Sequence, residues 1–111
     1  MGTERAQGET QILYAIRDAL LATGRVLLWR NNVGALKDRT GRVVRYGLGI
    51  GSPDIVGIIR PIGRMLCVEV KIPGEEPDPD QVCWHRAARA AGALVIVAHS
   101  VAEALAALEA A

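Results

Sequence analysis

The chain has 111 residues, half of them hydrophobic and 23% charged, with a net charge of +1 and two cysteines. That length and mix favour one globular domain spanning residues 1–111 with a single modest core, and argue against a disordered chain. No apolar run reaches the roughly 18 residues of a membrane span and no secretory leader precedes the first helix, so no membrane partner is expected.

In chain order, Arg5 to Ala22 reads as a helix: Ile12, Ile16 and Leu20 recur every four residues, Leu13 and Ala19 widen the stripe, and Gly24 closes it. Arg25 to Asn31 is a short strand, followed by the turn-forming Asn31 to Gly34. Residues 35 to 47 are polar and basic, with Arg42 to Tyr46 a candidate strand, and Gly47 to Pro53 is a glycine-rich approach to the next element. Asp54 to Arg60 and Met65 to Lys71 form a hairpin turned by Pro61, Ile62, Gly63 and Arg64. After an acidic loop, Asp78 caps a second helix from Pro79 to Ala91, ended by Gly92. Ala93 to Ala98 is an apolar strand, and Ser100 with Glu103 is read as a capping box opening an alanine-rich last helix.

Charge is segregated. Arg25, Arg30, Lys37, Arg39, Arg42 and Arg45 stand against Asp38 alone, so this stretch carries +5 and the rest of the chain −4. It is either the footprint of a polyanion partner or a solvated loop. Cys67 and Cys83 lie in apolar segments without C-x-x-C spacing and read as buried thiols in a reducing cytoplasm. His85 and His99 lack metal-ligand spacing and read as surface or core residues. Gly47, Gly49 and Gly51 do not make G-x-G-x-x-G, so no organic cofactor is expected.

The hairpin holds the chemistry. Side chains alternate along a strand, so Glu69 and Lys71 share one face and Leu66, Val68 and Val70 the other. If the chain reverses at Ile62, positions summing to roughly 125 pair, which sets Asp54 opposite Lys71 and close to Glu69. Two acids beside a lysine suit a hard cation such as Mg²⁺. They equally suit a salt-bridged cluster in which Lys71 neutralises both acids. Glu9 lies three, four and seven residues before Ile12, Leu13 and Ile16, extending the buried stripe so that its carboxylate faces the sheet; the alternative is an exposed first turn favoured by the helix dipole. Gln81 fits the Asp78-x-x-Gln81 capping pattern, and Trp84 three residues later reads as core.

Pro53-Asp54 followed by Glu69-Val70-Lys71 resembles the PD-(D/E)xK nuclease superfamily. An N-terminal helix with Glu9, Trp29 to Asn32 after the first strand, Gly51 to Asp54, Glu69 to Lys71, and Gln81 followed by Trp84 together resemble the VRR-NUC (virus-type replication-repair nuclease) family in its stand-alone form, as in phages and bacteria. The resemblance implies an α/β fold: a restriction-endonuclease-like αβββαβ core with a mixed central sheet flanked by helices. It implies a metal-dependent, structure-selective DNA endonuclease similar to Holliday junction resolvases, acting as a homodimer on branched DNA. Asp54, Glu69, the Val70 carbonyl and Glu9 would hold Mg²⁺ or Mn²⁺, Lys71 would activate or position water, and Gln81 would support the site. Arg30, Lys37, Arg39, Arg42 and Arg45 would contact the DNA backbone. The rival readings are a noncatalytic DNA-binding or assembly module on the same fold, and a structural domain with a surface ion-pair cluster.

Overall fold

The computed structural model describes residues 2–111, and side chains from residue 8 onward. Its elements run α1 (Gly2–Ala22), β1 (Val26–Arg30), β2 (Gly34–Lys37), β3 (Val43–Tyr46), β4 (Ile55–Ile59), β5 (Arg64–Val70), α2 (Pro79–Ala90), β6 (Leu94–Ala98) and α3 (Val101–Glu109). Leu13, Ile16 and Leu20 are buried on one side of α1. The helix stops where Gly24 turns left-handed at φ +71 and its N–H reaches the Leu21 carbonyl at 3.1 Å.

The main sheet has the order β1-β4-β5-β6, with β1–β4 and β4–β5 antiparallel and β5–β6 parallel. The parallel step needs a crossover, and α2 provides it. Thus α1, β1, β4, β5, α2 and β6 make the expected αβββαβ core with a mixed sheet. On one face, α1 and α3 pack over Val26, Ile55, Ile59, Leu66, Val68, Val70 and Ile96. Each fully buried Leu or Ile there stabilises the fold by about 1.5–3 kcal/mol. On the other face, Trp84 and Ala88 of α2 pack on Cys67, Ala93 and Val95.

Three details differ from the sequence reading. The β4–β5 register runs Ile55↔Val68 and Ile59↔Arg64, two residues from the expected pairing. The four-residue turn is Arg60 to Gly63, closed by the Gly63 N–H on the Ile59 carbonyl at 2.9 Å, one residue earlier than the expected Pro61 to Arg64. Because the slip is even, side-chain faces are unchanged. Continuing this register sets Asp54 beside Glu69 rather than Lys71.

Second, the basic segment is itself a ribbon: β2 and β3 form a separate two-stranded sheet pairing Gly34↔Tyr46 through Lys37↔Val43. One of its faces carries Leu36, Val44 and Tyr46, the other Lys37 and Arg45, and all five are exposed. Third, Ser100 makes only half of a capping box. Its hydroxyl accepts the Glu103 N–H at 3.2 Å, while the Glu103 carboxylate turns to the His99 N–H at 2.8 Å.

Candidate active site

The glycine-rich segment is held by Asn31, at the end of β1. Its amide donates to Ser52 Oγ and to the Pro53 carbonyl, each at 2.8 Å, and its Oδ1 accepts the Leu48 N–H at 3.2 Å. Gly51, at φ +83, lies against the Asp80 backbone in the first turn of α2. These contacts deliver Asp54 to the head of β4, where its carbonyl accepts the Asn31 N–H at 2.8 Å. The Asp54 Oδ2 accepts the Val70 N–H at 2.7 Å, so this carboxylate supplies a rung that the backbone ladder lacks at its end.

Glu69, in β5, is 1% exposed and has no place in an apolar sheet without partners. Two come from one face of α2. Gln81 Nε2 donates to Glu69 Oε2 at 3.3 Å, and His85 Nε2 lies 3.2 Å from Oε1. Gln81 also completes the capping box, its Oε1 accepting the Asp78 N–H at 2.9 Å while Asp78 Oδ1 accepts its own N–H at 2.9 Å. The same side chain therefore both caps α2 and contacts Glu69.

Burial, a hydrogen bond shared with the Asp54 carboxyl and the charge of Asp54 push the Glu69 carboxyl up to about 9, against the attraction of Lys71. Burial also lowers His85 below the usual imidazole value, helped by Arg89 and Lys71. Burial thus disfavours the charged form of both partners in the His85–Glu69 contact. Among the described residues, no salt bridge joins Lys71 to Asp54 or Glu69, which removes the salt-bridged cluster as an account of these acids.

Glu9 of α1 lines one small pocket with Asp54 and Arg30, and its charge reaches Glu69. On the other side, a polar cleft of about 330 Å³ is lined by Arg30, Asn31, Ser52, Asp54, Asp78 and Gln81. Arg30 is therefore the one basic residue of the segregated stretch that borders both recesses. Lys37, Arg39, Arg42 and Arg45 belong to the β2–β3 ribbon and its turn. Among the described residues no three His, Cys, Asp or Glu side chains form a ready ligand cluster. The acids come as a pair with Glu9 nearby, an oxygen-only donor set. A hard cation that retains several waters needs no more than one or two carboxylates. Glu69, whose proton affinity is raised by burial and by the neighbouring Asp54, is also short of positive charge, so the donor set fits Mg²⁺ or Mn²⁺.

Spacing rules pass over His85 because its role depends on depth, the residue being 2% exposed. The signal that could have found it is its i+4 relation to Gln81, which puts both on one helical face. Cys67 is buried and its thiol is raised to about 11 by burial, but Cys83 points outward from α2 and is exposed, contrary to expectation. His99 sits between Glu103 Oε2 at 2.9 Å and the Glu75 carbonyl at 2.7 Å, apart from these acids. No described helix is long and apolar enough to cross a membrane.

A family model for the VRR-NUC domain matches residues 7–102. Four chains of solved structures match as well. One, described as a VRR-NUC domain, is 28% identical, aligns over 92% of this chain and 95% of that chain, and has a TM-score of 0.64. No curated protein matches.

Proposed function

The chain belongs to the VRR-NUC domain family and has its nuclease-type fold, and from that premise we propose that it is a Mg²⁺- or Mn²⁺-dependent DNA endonuclease selective for branched structures, junctions above all. The observation that carries this reading is the buried Glu69 carboxyl, an acid that costs the fold stability, set beside the half-buried Asp54.

Asp54, Glu69 and the Val70 carbonyl would hold the cation, with Glu9 closing the site from α1. A bound cation lowers the pKa of its water and offsets charge building on the phosphate. Gln81 and His85 keep the Glu69 carboxyl oriented. Lys71, two residues along the same strand face, positions the attacking water and stabilises the negative charge of the transition state. Arg30 meets a backbone phosphate at the cleft rim, and Lys37, Arg39, Arg42 and Arg45 extend that contact along the ribbon, giving affinity that falls with salt. Two copies acting together would cut paired strands symmetrically.

The test is cleavage of junction, flap and duplex DNA with metal or with EDTA, beside Asp54→Asn. The amide keeps an oxygen for the Val70 N–H, so the fold survives while the charge is lost. Losing several kcal/mol of charge stabilisation predicts a rate lower by ~10²–10³-fold. Cleavage that persists in EDTA or in Asp54→Asn ends the metal reading. The projecting basic ribbon favours a second reading, a DNA-binding module without turnover. Tight junction binding with no cleavage under either metal would select it.

A further inference from the structure

Between the β2–β3 ribbon and the glycine-rich segment lies a recess of about 190 Å³, walled by Val33, Ala35, Tyr46 and Ile50, with Arg45 beside them. Its walls are apolar, yet Ile50 is 65% exposed, Tyr46 44% and Val33 41%, so much of their surface is left to solvent. Tyr46 is placed by what faces it. It pairs across the ribbon with Gly34. A Cβ at Gly34 would overlap the tyrosine hydroxyl and the ring carbon that bears it, so the ring crosses backbone that only a glycine leaves bare. Val33 and Ile50 also line the polar cleft that holds Asp54 and Arg30. The recess and the cleft therefore share a wall.

We propose that this recess binds one unpaired nucleobase of the DNA strand that enters the cleft, the base stacking on Tyr46 against Val33 and Ile50 while Arg45 takes the phosphate of the same nucleotide. Size is the first argument. The recess is well under the roughly 300–1,000 Å³ of sites for drug-sized molecules, which leaves room for one flat ring system and little else. The second argument is chemistry. Every base has a π-face, so a tyrosine among aliphatic walls accepts any of the four, and such stacking contributes substantially to single-strand binding. In an intact duplex both faces of a base are already stacked, and drawing it out costs free energy that an unpaired base at a mismatch or branch has largely lost already. Charge is the third. Among the described residues no carboxylate lines the recess. Asp38, the acid closest to Arg45 in sequence, is held by its own turn, its Oδ1 accepting the Thr40 and Arg42 N–H groups at 2.8 and 3.0 Å. An apolar peptide would gain nothing from the arginine, whereas a nucleotide brings a flat base and a phosphate together. The proposal rests on the nuclease reading for its DNA strand and deepens it: selectivity is read from one open base beside the cleft.

The test is binding of the full chain, by fluorescence anisotropy in EDTA, to three labelled DNAs: a duplex with one unpaired nucleotide, the same duplex with an abasic sugar at that position, and a fully paired duplex. Wild type should bind the first ~10-fold or more tighter than the abasic form, a comparison that needs no variant to fold. Tyr46→Ala should lose that discrimination and keep its affinity for the paired duplex, with unchanged far-UV circular dichroism. Tyr46→Phe, which keeps the ring, should behave as wild type. Equal wild-type affinity for the first two DNAs overturns the proposal, as does binding to none of the three. So does a Tyr46→Ala chain that still discriminates, or one that weakens on all three alike, which would make Tyr46 a support of the ribbon only. Metal-dependent cleavage by a chain that ignores the base removes the recess and spares the nuclease reading. Base-dependent binding without cleavage under Mg²⁺ or Mn²⁺ does the reverse.

Discussion

Gly51→Ala tests how the loop, the second helix and the acids are coupled. A Cβ at Gly51 would overlap the Asp80 carbonyl oxygen, and would lie 2.7 Å from the Asp80 carbonyl carbon and 3.2 Å from the Gln81 nitrogen, all backbone that cannot swing aside. Two costs follow. A non-glycine residue in the left-handed region costs ~1–2 kcal/mol, and moving the loop or the first turn of α2 to relieve the overlap costs ~1–3 kcal/mol more. Gly49→Ala is the control, because Gly49 is also left-handed at φ +109 but a methyl added there would meet no heavy atom within 4 Å. It should show the backbone cost alone. Urea unfolding at constant m-value then reads the steric part as the difference between the two variants, ~1–3 kcal/mol. Displacing the first turn of α2 also draws Gln81 from Glu69, so cleavage should fall further in Gly51→Ala than in Gly49→Ala. Equal stability and equal activity in the two variants would refute the reasoning.

His85→Leu removes the hydrogen-bond partner of Glu69 Oε1 while keeping an apolar side chain of similar reach. With Glu69 as the proposed metal ligand, loss of the group that orients it predicts ~10–100-fold weaker Mn²⁺ binding by calorimetry, partly restored in His85→Gln; unchanged affinity would make His85 a packing residue only. The latch at His99 gives a pH signature. Hydrogen bonds to Glu103 and then to the Glu75 carbonyl raise His99 above its ordinary 6.5, while the bonds from His99 lower Glu103 below 4.5. The His99 contribution is therefore complete below about pH 6.5 and is lost as pH rises through the higher folded value. The Glu103 contribution is present above about pH 4.5 and is lost on acidification through the lower folded value. Thermal stability should fall from pH 6 to 9 more steeply in wild type than in His99→Gln; parallel curves would show that the latch contributes nothing.

The parts of this fold that can be read from sequence are those whose causes are local. Asp78-Pro79 with Gln81 states a helix start in four residues, and Gly24 and Gly92 state two helix ends. Alternation along Met65 to Lys71 is enough to put Glu69 and Lys71 on one face. The even register slip leaves that inference intact although the partner of Asp54 changes. What escapes depends on tertiary placement. Gly34–Lys37 reads Gly-Ala-Leu-Lys, too short and too mixed to announce a strand without its partner Val43–Tyr46. His85 and Cys83 are two residues apart on α2, yet one is sealed against Glu69 and the other faces solvent; only the docking of the helix decides which. The acidic partner of Ser100 is identifiable, but not that its carboxylate favours His99.

Asp54 and Glu69 bear on folding in opposite senses. Asp54 satisfies a strand amide that would otherwise go without, so the fold benefits from this aspartate even in a chain that cleaves nothing. A glutamate there would carry its carboxylate a methylene too far. Glu69 buries an acid on the face it shares with Cys67 and needs two hydrogen-bond partners from α2 merely to be tolerated. Under the proposed function, a chain released from the need to cleave should therefore keep Asp54. The position of Glu69, where folding would gain from an apolar residue, should be the first of the two to change.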